Sequence, residues 1–317
     1  MLDRLTIDPV AGLADRGGVL CVVTNVDGAA YRPVGAAMAF LHNGTQLGTV
    51  SSGCLEGALA VEAEQVFNTG QPRQVRYGKG SPWIDIQLPC GAGLDIHLWR
   101  AARGKAILSE AARSLMDREA RALLIPRKCL EAARLGAPEP AGWSGDVFSL
   151  PRIPPLRLLV FGTGIETVAF AELARGAGCD VCVASDEALV SDTLSDKSMP
   201  IDDGIKEAIE ADAQTAIVLF FHDHHSETPI LETALKSPAF WVGAQGSRQA
   251  QKLRIAALQD EGVKNEFLGR LQDRIGLIPS TRDPRTLAVS VLADVFDAYK
   301  KQWMDPYFGA CQKAVTA

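Results

Sequence analysis

The sequence predicts an α/β fold in which a parallel-sheet domain fills the C-terminal half and a smaller α+β domain precedes it. Three observations lead there. From Arg157 onward, short apolar strands alternate with helical patterns, which is how a parallel sheet with crossover helices reads. The first of these strands runs into Gly162-Thr163-Gly164, a glycine turn that opens a helix, as in Rossmann-type domains. Before about residue 103 the pattern differs, with short strands, turn residues and one helix-spaced segment.

Length and composition agree with two domains. A chain of 317 residues exceeds one typical domain, and 47% hydrophobic with 22% charged residues is an ordinary soluble balance. The net charge of −6, with no Lys/Arg-rich run, argues against a nucleic-acid or anionic-membrane binder. No apolar stretch approaches the ~20 residues that span a bilayer. Met1-Leu2-Asp3-Arg4 has neither the basic region nor the apolar run of a signal peptide. The 7 cysteines are an odd, scattered set, so reduced thiols in a cytoplasm are expected.

In chain order, Val19–Thr24 and Ala36–Leu41 read as strands, and His42-Asn43-Gly44 turns the chain into Gln46–Val50. Leu55, Leu59, Glu62 and Val66 share a helix face that ends before Gly70, a C-cap. Strands resume at Arg73–Tyr77, Ile84–Leu88 and Leu94–Trp99. This gives an α+β domain over 1–103. Prolines punctuate 104–155, which therefore reads as a linker region with a helix at Ala106–Arg118 and a strand at Ala122–Ile125. The Rossmann-type domain covers 156–301, with strands at Leu158–Phe161, Asp180–Ala184, Ala216–Phe221 and Phe240–Gly243. Its last helix starts at Asp283-Pro284, an N-cap followed by a first-turn proline, and residues 302–317 read as a tail.

Several groups could carry chemistry. Gly162 and Gly164 supply two positions of a dinucleotide turn, but Thr167 stands where the third glycine would be. Asp186 ends the second strand, where an acid would hold a ribose. In the N-terminal part, Ser52-Gly53-Cys54 opens a helix whose positive end favours a thiolate, and Cys90-Gly91-Ala92-Gly93 forms a glycine-rich turn. Two loop thiols suit a soft metal or sulfur, or each is a small residue filling a turn. Cys179 and Cys182 fall in the second strand of the Rossmann-type domain, where residues three apart face opposite ways, and read as core. His222-Asp223-His224-His225, with Glu227 nearby, follows a strand's carboxyl end and reads first as a ligand-edge loop, second as a metal site. Gly246-Ser247-Arg248 is a helix start that combines a cap with a guanidinium.

Taken in order, these segments resemble the XdhC/CoxI family of xanthine dehydrogenase accessory proteins. The resemblance spans most of the chain: Tyr31-Arg32-Pro33-Val34-Gly35, Gly48-Thr49-Val50-Ser51-Ser52-Gly53-Cys54-Leu55-Glu56, Cys90-Gly91, the Gly162/Gly164 turn, His222-Asp223-His224, Val242-Gly243 through Arg248, and Ile275-Gly276-Leu277. It departs from the family pattern at Ser52, Ala92, Ile165 and Pro279-Ser280. The resemblance implies an accessory role rather than turnover. Such a protein binds molybdenum cofactor, protects it during sulfuration and hands it to a molybdenum hydroxylase apoenzyme, with a cysteine desulfurase as second partner. It places Arg32, Gly53, Cys54, Cys90, Gly91, Gly162, Gly164, Asp186, His222, Asp223, Gly246, Ser247 and Arg248 at the cofactor, with Cys54 as a thiolate near molybdenum. A homodimer is expected because two-fold dimers are the commonest assembly. The competing expectation is an NAD(P)-dependent oxidoreductase built on the same glycine turn. The incomplete glycine pattern, and the absence of an evident acid or base for hydride transfer, weigh against it.

Overall fold

The computed structural model describes residues 8–51, 53–82, 91–194, 198–221 and 226–309. They form two compact units, 1–154 with 303–317, and 155–302.

The first unit is built on a five-stranded antiparallel sheet in the order β3-β2-β1-β5-β4. Its strands are β1 (Gly18–Asp27), β2 (Ala37–Leu41), β3 (Gln46–Gly48), β4 (Arg73–Gly78) and β5 (Gly93–Ala101). β1 is buried without a break from Gly18 to Thr24 because both faces of the sheet are covered. Val19, Cys21 and Val23 face the helix Glu56–Thr69 through Leu59, Ala63 and Val66. Leu20 and Val22 point the other way, toward Val10 and Leu13 of the helix Pro9–Arg16 and toward a second sheet.

That second sheet corrects the linker expectation. Residues 104–155 hold the helix Ala106–Met116 and a four-stranded antiparallel sheet, β7-β6-β9-β8. The strands are β6 (Arg121–Pro126), β7 (Arg134–Gly136), β8 (Gly142–Ser144) and β9 (Val147–Arg152). Leu123, Ile125, Phe148 and Leu150 complete the core beneath β1. Arg152, at the end of β9, forks onto both oxygens of Asp8, which caps the Pro9–Arg16 helix. The expected tail also folds in part: the Ala141 amide donates to the Tyr307 carbonyl at 2.8 Å, within the first unit. The strand expected at 84–88 lies outside the described residues.

The second unit is a five-stranded, fully parallel sheet, β12-β11-β10-β13-β14. Its strands are β10 (Arg157–Gly162), β11 (Asp180–Ala184), β12 (Ser198–Met199), β13 (Thr215–Phe220) and β14 (Trp241–Ala244). Strand order reverses at β10, whose neighbours are β11 and β13. The crevice between the carboxyl ends of β10 and β13 is therefore the topological switch point, where such sheets take ligands. All six β13 residues are buried, as a strand covered on both faces requires. Asp283 caps the helix Pro284–Tyr299 by accepting from the Thr286 amide at 2.9 Å, with Pro284 in the first turn. No helix among the described residues is long and apolar enough to cross a membrane.

Candidate functional site

In the first unit the chemistry gathers where the sheet hands over to the Glu56–Thr69 helix. Gly53 takes φ +111°, a left-handed conformation that only glycine adopts cheaply, and this turns the chain so that Cys54 is exposed. Among the described residues, a Cβ on Gly53 or on Gly57 would meet nothing within 4 Å, so the backbone on either side of the thiol is open. The helix N-cap, Leu55, has no side chain able to satisfy the first amides.

Glu56, the first residue of the helix, instead ties down the loop that leads into it. Its carboxylate accepts the hydroxyls of Thr49 and Ser51, each at 2.5 Å. It also accepts the amides of Ser51 (3.1 Å), Gly53 (2.9 Å) and Leu55 (3.1 Å). Burial works to raise the Glu56 pKa, but the hydrogen bonds from Ser51, Thr49 and the backbone outweigh it and hold the carboxyl down at about 2. One carboxylate at the positive end of the helix thus shapes the loop that presents Cys54.

Because this pKa is lowered by folding, its stabilisation is present at neutral pH and is lost as pH falls from the ordinary carboxylate range toward 2. Glu56→Gln should cost about 2 kcal/mol after solvent screening of a half-buried group. Denaturant titration at pH 7 reads that loss, and hydrogen exchange should quicken at the amides of Ser51, Gly53 and Leu55. Unchanged exchange there would remove Glu56 from its organising role.

The other expected residues of this unit sit on separate loops. Arg32 is exposed in the connection from β1 to β2. Gly91, at φ +69°, precedes β5, and no described residue lies within 4 Å of where its Cβ would be. The base of that turn is clamped. Arg76 binds both oxygens of Asp95 (3.1 and 3.0 Å) and the Lys79 carbonyl (2.9 Å), while the Lys79 amide donates to the Ala92 carbonyl (3.0 Å). Ser52, Cys90, His222 and Asp223 lie outside the described residues.

In the second unit, the glycine turn is built but internally engaged. Gly162 is glycine because a Cβ there would collide with the Thr167 hydroxyl and the Phe220 carbonyl oxygen. Thr167 itself is fully buried, and its hydroxyl donates to the Thr163 carbonyl at 2.9 Å. The space that a third glycine would leave for close helix–strand packing is filled. Gly164 takes φ +74°, and its amide donates to the carboxylate of Glu187. Asp186, expected at a ribose, instead accepts the Ile201 amide at 3.0 Å, at the start of the helix Ile201–Ile209.

The loop after β14 ends at the same sheet edge. Ser247 caps the helix Arg248–Asp260 by accepting from the Ala250 amide at 3.2 Å, and Arg248 is exposed in its first turn. Glu227 is not available to a metal. It is completely buried in an ion pair with Arg254 (2.8 Å), which also donates to the carbonyl of Gln245 (2.8 Å). Among the described residues no cluster of three or more His, Cys, Asp or Glu could hold a metal ion. Cys182 packs against the sheet core, and burial, aided by Asp180, raises its pKa. The same two causes push Cys179 up to about 11, so neither thiol is primed as a nucleophile.

Comparison with known proteins assigns the chain. The XdhC and CoxI family model matches residues 13–78, and the model described as the XdhC Rossmann domain matches 158–295. Over 283 residues, 89% of this chain and 84% of the relative, it is 32% identical to the molybdenum cofactor insertion chaperone PaoD of Escherichia coli (strain K12). The chain belongs to the XdhC and CoxI family. A more distant relative is a probable xanthine dehydrogenase subunit of Bacillus subtilis (strain 168), 23% identical over 95% of this chain and 97% of that one. The crystal structure of a xanthine dehydrogenase from Bacillus halodurans matches with a TM-score of 0.71 at 18% identity, over 94% of this chain and 98% of that chain. At that identity the likeness speaks for the fold alone.

Sequence reasoning in this family missed Glu56 and Glu187 as organising residues. For Glu56 the signal was present, since Thr49 and Ser51 stand shortly before an acid at a helix start that lacks a polar N-cap.

Proposed function

We propose that this protein is a molybdenum cofactor-binding accessory protein, which shields the cofactor during sulfuration and delivers it to a xanthine dehydrogenase-like molybdenum hydroxylase. The observation that carries the reading is the 32% identity to the insertion chaperone PaoD, over 89% of the chain. The apoenzyme and a cysteine desulfurase are its partners, and a homodimer is the proposed assembly.

The cofactor is cargo, and its redox chemistry is exercised in the hydroxylase. What this chain supplies is a place to bind it. The exposed Cys54 thiol is a soft donor of the kind a molybdenum–sulfur centre prefers, and the open space around Gly53 and Gly57 admits a bulky ligand. Arg32 offers an exposed guanidinium to a pterin phosphate, and the Cys90-Gly91 turn a second thiol. The Rossmann unit by itself offers an anion the helix start at Gly246, Ser247 and Arg248, and His222 and Asp223 are proposed beside them. Gly164 and Asp186 are left out, because their polar groups are already bonded within the protein.

The test is to co-express the chain with the cofactor pathway, purify it, and assay molybdenum and fluorescent oxidised pterin. Wild-type protein should carry both. Cys54→Ala should keep its fold and lose about tenfold in retained molybdenum, the scale on which groups around a metal act. Unchanged retention would take Cys54 out of the site. No pterin on the wild type, together with a thermal shift on adding NADH, would overturn the reading in favour of the oxidoreductase.

A further inference from the structure

We infer that Glu187 is a specificity-determining residue that closes the glycine turn of the Rossmann unit to nucleotide diphosphates. The inference goes beyond the accessory reading and does not depend on it.

The turn has the position and the helix end that a dinucleotide site uses. It lies after β10, at the switch point, and the 13-residue helix Gly164–Gly176 follows it. A pyrophosphate in such a turn binds helix-end amides, and its charge sits on the positive end of the helix dipole. Here the Gly164 amide already donates to the Glu187 carboxylate. That contact supplies the anion from within the chain. The backbone holds it there: the Glu187 amide donates to the Ser185 hydroxyl at 3.2 Å, and Asp186 is tied to the Ile201 amide at 3.0 Å. The neighbouring acid is thereby turned away and Glu187 turned in.

An incoming diphosphate would have to break an intramolecular charge-assisted bond and then sit beside the displaced carboxylate. Glu166, in the first turn of the same helix, adds a second negative charge. Thr167, fully buried beneath Gly162, removes the slack by which the turn could yield. Attraction to a helix end has thus been turned into rejection of one ligand class, which is how specificity against a competitor is built. The cell holds nucleotide diphosphates in abundance, and a Rossmann turn left open would take them up.

The experiment measures binding of ADP and of NADH by calorimetry to the full-length wild type, Glu187→Ala, Glu187→Gln and Asp186→Asn. Wild type and Asp186→Asn should show no binding at millimolar ligand. Glu187→Ala should gain at least about tenfold in affinity for ADP, with Glu187→Gln between, since removing a like charge at contact distance is worth that much or more. Circular dichroism on each variant establishes that it is folded. If Glu187 were the ribose-binding acid of a working nucleotide site, wild type would bind NADH and Glu187→Ala would lose it, which overturns the inference. Failure of Glu187→Ala to gain affinity overturns it too. Neither result bears on whether the purified protein carries molybdenum, so the two proposals fail separately.

Discussion

Glu227→Ala should cost the Rossmann unit about 3–5 kcal/mol, the largest effect expected of any single substitution here, because it strands a buried guanidinium. The side chains of Glu227 and Arg254 are 0% and 1% exposed, so solvent cannot replace the lost partner. The pair also carries geometry. Glu227 begins the helix Glu227–Lys236, and Arg254 reaches the Gln245 carbonyl in the loop after β14 (2.8 Å) and Gln251 on its own helix (2.7 Å). One ion pair thus ties the helix Glu227–Lys236 to the helix Arg248–Asp260 and to the loop after β14. Urea denaturation reads the loss as a shift of midpoint. The double variant Glu227→Met with Arg254→Met should recover a large part of it, since both buried charges are then gone. A Glu227→Ala midpoint within about 1 kcal/mol of wild type would contradict the assignment.

Acid should destabilise the first unit through His97, by about 3 kcal/mol between pH 6.5 and pH 4. The ring is 4% exposed and lies against Trp99, with centroids 4.1 Å apart, and Trp143 at 5.4 Å. Its Nε2 lies 3.0 Å from the Arg127 carbonyl, which only accepts, so Nε2 carries the proton; Nδ1 is a buried acceptor without a partner among the described residues. Burial above all, with the Arg127 charge adding to it, lowers the His97 pKa to about 4. The unfolded chain therefore binds a proton below its ordinary value of 6.5 that the fold refuses until about 4, and stability falls with pH across that window. His97→Phe should remove the dependence at modest cost at pH 7. The Arg127 carbonyl keeps the Trp99 indole as a donor at 3.1 Å, and the orphaned acceptor disappears. Stability measured against pH should be flatter for the variant across this range. Parallel curves would mean that His97 does not titrate as described.

How much of this was legible in the sequence can be followed residue by residue. The parallel sheet was, because its strands are apolar runs bounded by glycine, and Gly162-Thr163-Gly164 marks its first turn. The sheet of residues 104–155 was not. Pro151 lies inside β9 and spoke against a strand. In the fold, β8 pairs with β9 only from Val147 to Ser149, so β9 has a free edge where Pro151 sits and a missing amide costs nothing on that side. Cys54 could be placed at a helix start from the helical spacing of Leu55, Leu59, Glu62 and Val66 that follows it. The five hydrogen bonds that converge on Glu56 could not, because they need Thr49, Ser51, Gly53 and Leu55 folded back around it. Asp186 and Glu187 are adjacent acids at one strand end, and spacing cannot say which turns inward. Ser185 and the Ile201 amide decide it.

These particulars bear on the accessory reading from two sides. An exposed thiol on a loop organised by Glu56 offers itself to a soft ligand, while the glycine turn that an oxidoreductase would need is engaged by the chain's own carboxylate. Delivery tests the whole account most directly. The chain, purified with molybdenum cofactor bound, is incubated with a molybdenum hydroxylase apoenzyme, and the activity that appears is measured against an equal amount of cofactor released by denaturing the same sample. The account predicts that the loaded protein activates the apoenzyme faster and to a higher yield, and that Cys54→Ala prepared in parallel does so in proportion to the cofactor it retains. Equal activation by free cofactor, or none by the loaded protein, would contradict it.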